Sequence, residues 1–468
     1  MQGQQQLNKE GNHNCLNSID ADGQDITFIY KQGMNASLVP TNVTKVIFSA
    51  CVIEIPDGLF SHCIRIEEVH FNDTLKRIGK DAFFRSKLLK RIKLPSKLTH
   101  VGEGAFRFCN NLNSISFNEG LTSIDKSAFH CTNIHYICLP SSITQLGTNA
   151  FGNCANLSHI DLSRCRGLKR IDNYLFNGCM SLERIELPSS IIKVGENAFC
   201  ACTSLRRIKL NNGLQTIDEG AFSSCESLEE IQLPLTVTEV GYNAFYACSN
   251  LKLITMNKHL KKIGWAAFED CTKLTQIVMN EGQKKIEAAN FWGCASLQCF
   301  ELPSSVIELG AGAFEGCTML RNVNFHEDVR TINKGRYIFS DCPSLEFVKF
   351  PSLANRIRSL IMVGETSSVE KVRVHQQFQW IDGEFLVPPR CFQYDNWNET
   401  RCSLDRVLTW ISYYEIRDAA TVVELAFQKT GLLSKGAETN DTDNEKEVPG
   451  PVRDLIVKYL TPTNQNKI

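Results

Sequence analysis

A phenylalanine returns at almost fixed intervals along most of the chain, and this period constrains the fold more than any other feature. The anchors are Phe60, Phe83, Phe106, Phe129, Phe151, Phe176, Phe199, Phe222, Phe245, Phe268, Phe291, Phe314 and Phe339, spaced by 23 residues except for 22 before Phe151 and 25 before Phe176 and Phe339. A unit this short cannot bury a core alone, so thirteen copies must stack into one continuous array. The 468 residues then belong chiefly to one elongated solenoid, not to several ordinary domains.

Within the unit ending at Phe199, Leu182, Ile185, Leu187, Ile191, Val194, Ala198 and Phe199 are apolar, while most residues between them are polar. Ile208 and Leu210 alternate as in a half-buried strand, whereas Phe199, Cys202 and Leu205 recur every three residues and predict a short helical turn. Pro188, Pro234 and Pro303, or Asn72, Asn118, Asn211, Asn257 and Asn280 in other copies, follow the strand and suit its ending in a turn. Gly195, Asp218 and Gly241 precede the helical turn, where glycine would supply a positive φ and aspartate would cap the first amides. The predicted fold is an α/β repeat: a curved solenoid of short strands and short helical turns, with a small helical C-terminal region.

Twelve of the 20 cysteines are read at one place in the unit: Cys63, Cys109, Cys131, Cys154, Cys179, Cys202, Cys225, Cys248, Cys271, Cys294, Cys317 and Cys342. Only the Phe83 copy departs, with Ser86. Free cysteine packs as a small hydrophobe, so a reduced, buried column of thiols is expected.

This pattern resembles the BspA-like family of leucine-rich repeats, as in Leu228-x-x-Ile231-x-Leu233-Pro234-x-x-Val237-x-x-Val240-Gly241-x-x-Ala244-Phe245-x-x-Cys248. The resemblance covers about residues 43 to 350. It implies a curved solenoid that binds other macromolecules, in some members as a microbial surface protein, and it brings no catalytic motif. Gln283, where the repeat expects an aliphatic residue, and the shortened Phe129 unit depart from the pattern.

Residues 1–24, rich in Gln, Asn and Gly, are expected to be disordered, and 25–59 to form an N-terminal cap and half-repeat that includes Ile26–Tyr30 and 43–55. Residues 60–350 carry the repeats. A C-terminal cap is assigned to 351–402, with strand-like stretches at 369–374 and 380–387. The helical spacing of Leu404, Val407, Leu408 and Ile411 opens a helical tail at 403–468, interrupted by an acidic linker at 434–448.

The balance of 50 basic against 51 acidic residues offers no bulk attraction to nucleic acid or anionic lipid. No run of about 18 apolar residues suits membrane insertion, and the first 24 residues hold no signal-peptide core. A cytoplasmic protein is therefore expected. Sequons at Asn35, Asn42, Asn72, Asn156, Asn398 and Asn440 keep a secreted alternative open.

The sequence contains no phosphate-loop, nucleophile-elbow or zinc-protease motif, so neither catalysis nor a cofactor is expected. His130, Cys131, His135 and Cys138 have zinc-like spacing. The repeat register nevertheless assigns Cys131 to the buried column and Cys138 to an exposed strand position, which argues against one shared ion.

The expected function is a protein-binding scaffold or adaptor, with a secreted or surface adhesin for protein or glycan as the alternative. Outward strand positions, two per unit, form the expected ligand strip, which is mixed in charge over its first eight units. It becomes less polar at Leu253, Thr255, Gln276 and Val278. Tyr242 and Trp265 fill a position that carries Lys80, Glu103 or Lys126 elsewhere, and Tyr246 and Trp292 lie in the same part of the array. These eight residues are the candidate partner-binding set, since aromatic anchors often dominate interface energy. The plainer reading is that the rings pack across neighbouring units.

Overall fold

The computed structural model describes residues 17–19, 25–306, 308–324, 337–345, 347–349, 379–381 and 384–387. Each fully described unit forms one three-sided rung. Its first side is a three-residue strand, such as Glu68–His70 in the first rung, Arg184–Glu186 midway and Phe347–Lys349 in the last. Where neighbouring strands of this side pair, they do so in parallel without offset, so Arg184, Ile185 and Glu186 lie opposite Arg207, Ile208 and Lys209; the pairing runs in short groups, and Glu230–Gln232 pairs with Leu253–Thr255 in the next one. The middle residue turns inward and its neighbours outward, as the alternation in the sequence predicts.

The second side is a ladder of two-residue strands, among them His100–Val101, Lys193–Val194 and Thr216–Ile217, also parallel. The corner between the two ladders is where proline and asparagine alternate. Asn257 donates from Nδ2 to the carbonyls of Pro234 (2.7 Å) and Val237 (2.8 Å), and its Oδ1 accepts the His259 amide at 2.7 Å. Asparagine thus ends its own strand and ties its rung to the one before. Gln283 fills the aliphatic slot held elsewhere by Val237 and Val306; it is buried, and its Nε2 donates to the Leu260 carbonyl at 2.5 Å.

The third side corrects the predicted helical turns. No α-helix occurs among the described residues. The segment around each anchor is a run of tight turns, and from Phe83 to Phe339 the residues two before and two after the phenylalanine are left-handed, such as Asn197 (φ 50°) and Ala201 (φ 57°) around Phe199. Left-handed residues at this spacing interrupt an α-helix. Alternate amides leave the rung: those of Gly220, Phe222 and Ser224 donate to the carbonyls of Tyr242, Ala244 and Tyr246 in the next rung at 2.7–2.8 Å. The amides between them, of Ala221, Ser223 and Cys225, donate to carbonyls three residues back. Phe, Cys and Leu three apart share one face in either arrangement, which is why spacing suggested a helix.

The glycines before this side also have a different role from the one expected. Gly195 and Gly241 do not have positive φ. A Cβ on Gly241 would lie 2.5 Å from the backbone of Asp218 and Glu219, so close approach of the preceding rung is what favours glycine. Where a carboxylate takes this place, it pairs with a base: Asp125 with His100 (3.0 Å), Asp172 with Arg170 (2.5 Å) and Asp218 with Lys193 (2.7 Å).

The thirteen anchor rings stack in one file through the core, with centroids 5.2–6.0 Å apart and planes within 22° of parallel. At the N-terminal end Phe28, Tyr30 and Phe48 meet Phe60 edge-on and close the file. Tyr30 and Phe28 lie on the strand Ile26–Tyr30, which extends the first ladder. Asn17–Ile19, inside the segment expected to be disordered, pairs antiparallel with that strand and covers its edge.

At the other end Glu384–Val387 pairs antiparallel with both Phe347–Lys349 and Gln379–Ile381. Glu384–Val387, and Gln379–Ile381 but for its first residue, fall in the stretch 380–387 that the sequence singled out. The stretch 369–374, the acidic linker 434–448 and the helical tail 403–468 lie outside the described residues.

Because Phe222 is fully buried between two parallel rings, Phe222→Ala is expected to cost about 3–5 kcal/mol in urea denaturation, the range for a buried aromatic. A loss below about 1 kcal/mol would contradict the stack.

Candidate functional site

Eleven cysteines occupy the column three residues after the anchor, not twelve. In the Phe129 rung that slot holds Thr132, which is buried, while Cys131 is half-buried and left-handed (φ 57°). The missing residue of this 22-residue unit falls between Thr132 and Ile134, so counting back from Ile134 reaches Cys131 and counting forward from Phe129 reaches Thr132. Ser86 fills the remaining slot and is also buried.

The column has a defined hydrogen-bonding role. Ten of its thiols donate to the anchor carbonyl of the preceding rung at 3.0–3.3 Å, Cys248 to Phe222 for example. All 17 described cysteines are free. Burial pushes Cys154 up to about 11 and Cys109 and Cys248 up to about 12, which keeps these groups as thiols.

Two polar constellations stand apart from the column. His130 is buried, its Nε2 lies 3.2 Å from the Cys131 thiol, and desolvation, then the nearby Arg107 charge, lowers its pKa. Cys138 is exposed on its strand, and no group of three or more potential metal ligands lies together among the described residues.

On the second ladder His100 places Nδ1 2.6 Å from the Ser123 hydroxyl and Nε2 3.0 Å from Asp125. The residue types match a hydrolytic triad. However, the amides of Ser123 and Asp125 already donate to the carbonyls of Thr99 and Val101, leaving neither to hold an oxyanion.

The structure divides the eight candidate residues between two sides of the rung. Leu253, Thr255, Gln276 and Val278 lie on the first ladder, where Leu253 and Thr255 are half-buried and Gln276 and Val278 exposed. Tyr242 and Trp265, each 48% exposed, lie past the second ladder. They line one groove of about 270 Å³ with Lys262 and Glu287, and Lys262 Nζ is 6.0 Å from the Tyr242 ring centre. Trp292 is exposed and Tyr246 half-buried, and neither lines that groove.

The larger concavity is a trough of about 880 Å³ on the first ladder, formed by the outward pairs of five consecutive rungs from His159/Asp161 to Leu253/Thr255. Only Leu253 and Thr255 of the candidate set reach it. Arg184, Glu186, Arg207, Lys209, Glu230 and Gln232 line its centre. Their outward direction follows from the alternation, but the depth over these rungs depends on how the rungs sit together. The one available sequence signal was two arginines at equivalent positions of consecutive units.

Stacked parallel rungs with an open strip of outward side chains define a solenoid repeat protein that offers surface, with buried hydrogen bonds serving the stack. The chain belongs to the BspA type leucine rich repeat family: residues 35–158, 131–252, 169–298 and 238–368 match its repeat region. Among solved structures it is similar to a leucine-rich repeat protein from Bacteroides ovatus, at 25% identity over 73% of this chain and 94% of that one, with a TM-score of 0.58. A leucine rich cell surface protein from Faecalibacterium prausnitzii matches at 22% identity over 71% and 92% of the respective chains, with a TM-score of 0.45. No curated protein matches the chain.

The thiol column makes the fold sensitive to alkali. The folded pKa of Cys248 lies above the ordinary 9.0, so its contribution is fully present below about pH 9 and is lost as pH rises towards about 12, because only the unfolded chain releases that proton. Each such thiol lowers stability by about 1.4 kcal/mol per pH unit across this window. Urea midpoints are therefore expected to fall steeply between pH 8 and pH 10.5. Equal midpoints would show that the thiols are not buried as described.

Proposed function

We propose that the chain is a scaffold that holds a protein partner along the first-ladder strip, with the trough between His159 and Thr255 at the centre of contact. The observation that carries this reading is the trough itself, in which five consecutive rungs present outward pairs around about 880 Å³, with Arg184/Glu186 set opposite Arg207/Lys209 and Glu230/Gln232 opposite Leu253/Thr255. A surface fixed by a stacked core loses little conformational freedom on binding. The trough mixes Arg184, Arg207 and Lys209 with Asp161, Glu186 and Glu230, a lining suited to a protein and not to a polyanion. The proposal includes no catalysis and no cofactor.

A cytoplasmic location is part of the proposal. It is supported by the buried free thiols and by Cys51, Cys138 and Cys299, which are free and exposed. Of the sequons, Asn72 has its amide nitrogen engaged with the carbonyls of Ser49 and Val52, which disfavours modification there.

A surface adhesin is the second reading. The Tyr242–Trp265 groove favours it, since exposed rings beside Lys262 and Glu287 suit a sugar ring and its hydroxyls.

Affinity capture followed by lysine crosslinking separates the two. The scaffold reading expects crosslinks from Lys209 in the trough, and expects Leu253→Asp with Gln232→Lys to weaken the captured complex at least tenfold, about 1.4 kcal/mol. Tyr242→Ser with Trp265→Ser should leave it unchanged. The opposite result, with crosslinks at Lys262, would move the contact to the aromatic groove.

A further inference from the structure

Like charges directly opposite one another on a sheet repel. Arg184 and Arg207 are such a pair: Cα partners on neighbouring strands, both exposed and both lining the trough. At two other places on this ladder opposite charges meet across rungs, Lys45 with Glu68 at 3.0 Å and Lys209 with Glu186 at 2.6 Å. The two arginines take no part in any ion pair among the described residues. Glu186 is engaged by Lys209, and Asp161 accepts the Ser163 amide at 2.9 Å. Glu230 of the following rung reaches neither guanidinium and could serve only one.

We propose that Arg184 and Arg207 form a carboxylate clamp that recognises an acidic, extended segment of a partner protein. The inference rests on the scaffold reading and deepens it by naming the chemistry of the ligand. Adjacent strands lie about 4.8 Å apart. One carboxylate spans that gap when each oxygen accepts from one guanidinium at about 2.8 Å. On the other flank Lys209 is occupied by Glu186 and Asp161 repels the ligand's carboxylate, which fixes the side on which it lies.

The trough also sets a second contact. Leu253 is half-buried at its far end, two to three rungs beyond the clamp, a distance of about 12 Å that about four extended residues cover. The ligand therefore carries an acidic side chain and, about four residues away, an apolar one. A polyphosphate fits less well, since three acidic side chains share the trough with the three basic ones.

Selection of a random dodecamer peptide library on the full-length chain tests the clamp. Enriched peptides are expected to carry Asp or Glu with an apolar residue about four positions away. A synthetic copy of the leading peptide should lose at least tenfold in affinity for the Arg184→Gln, Arg207→Gln variant and bind Arg91→Gln, Lys93→Gln unchanged. Neither variant should melt below the parent, as all four side chains are exposed and the clamp variant also loses the repulsion between Arg184 and Arg207.

Peptides without an acid, no enrichment at all, or equal binding by the clamp variant would each overturn the clamp. So would tighter binding of the same peptide with phosphoserine in place of its acidic residue. The scaffold reading is judged separately by partner capture: a partner held equally well by the clamp variant would leave that reading standing and remove the clamp.

Discussion

Each anchor phenylalanine is covered by the ring before it and covers the ring after it, so no rung has a complete core without its neighbours. That requirement sets the common spacing of the units: departures from 23 residues must be absorbed in the corners, leaving the rings in line. The 22-residue unit loses its residue after Thr132, and Phe129 still meets Phe151 at 5.5 Å and 5°. The 25-residue unit before Phe176 inserts residues around Cys165, and that ring still lies 6.0 Å and 9° from Phe151. Cys165 is buried there, its thiol directed at the Pro140 carbonyl.

The turn side shows how a buried file of rings is reconciled with the need of every buried amide and carbonyl for a partner. Left-handed residues on either side of the anchor turn alternate amides towards the next rung. The anchor carbonyl then accepts from its own rung, Cys225 N on Phe222 O at 3.2 Å, and from the thiol of the following rung, Cys248 Sγ on the same oxygen at 3.2 Å. A thiol suits this slot because it packs as a small apolar group and still donates. Ser86 fits the volume, but its buried hydroxyl has no partner among the described residues, whereas the Thr132 hydroxyl in the equivalent slot donates to the carbonyl of its own anchor, Phe129, at 2.9 Å.

The sequence made the first ladder legible to the residue, because period-two alternation and zero-offset stacking leave no freedom once the anchors are aligned. Leu253–Thr255 and Gln276–Val278 lie where alternation put them. The third side was misread because a three-residue repeat of Phe, Cys and Leu is common to a helix and to a run of tight turns. Asn197, Gly220 and Asn243 before the anchor, with Gly178 and Asp270 after it, are the residues that left-handed backbone favours, and they held the missing signal. The candidate site was legible only in part. Charges could be assigned to the strip, but the trough that gathers Arg184 and Arg207 depends on how successive rungs are set against one another.

The same zero offset that stacks the rings sets like positions of successive rungs side by side, so ligand chemistry follows from columns of side chains and not from single residues. The fold therefore depends on coupling between neighbouring anchors. A double-mutant cycle on Phe222→Leu and Phe245→Leu measures it directly, with Phe151 and Phe291 as a separated control pair. The stack predicts a coupling of about 0.5–1.5 kcal/mol for the adjacent pair, and a value within error of zero for the separated one. Equal coupling in both pairs, or none in the adjacent pair, would contradict it.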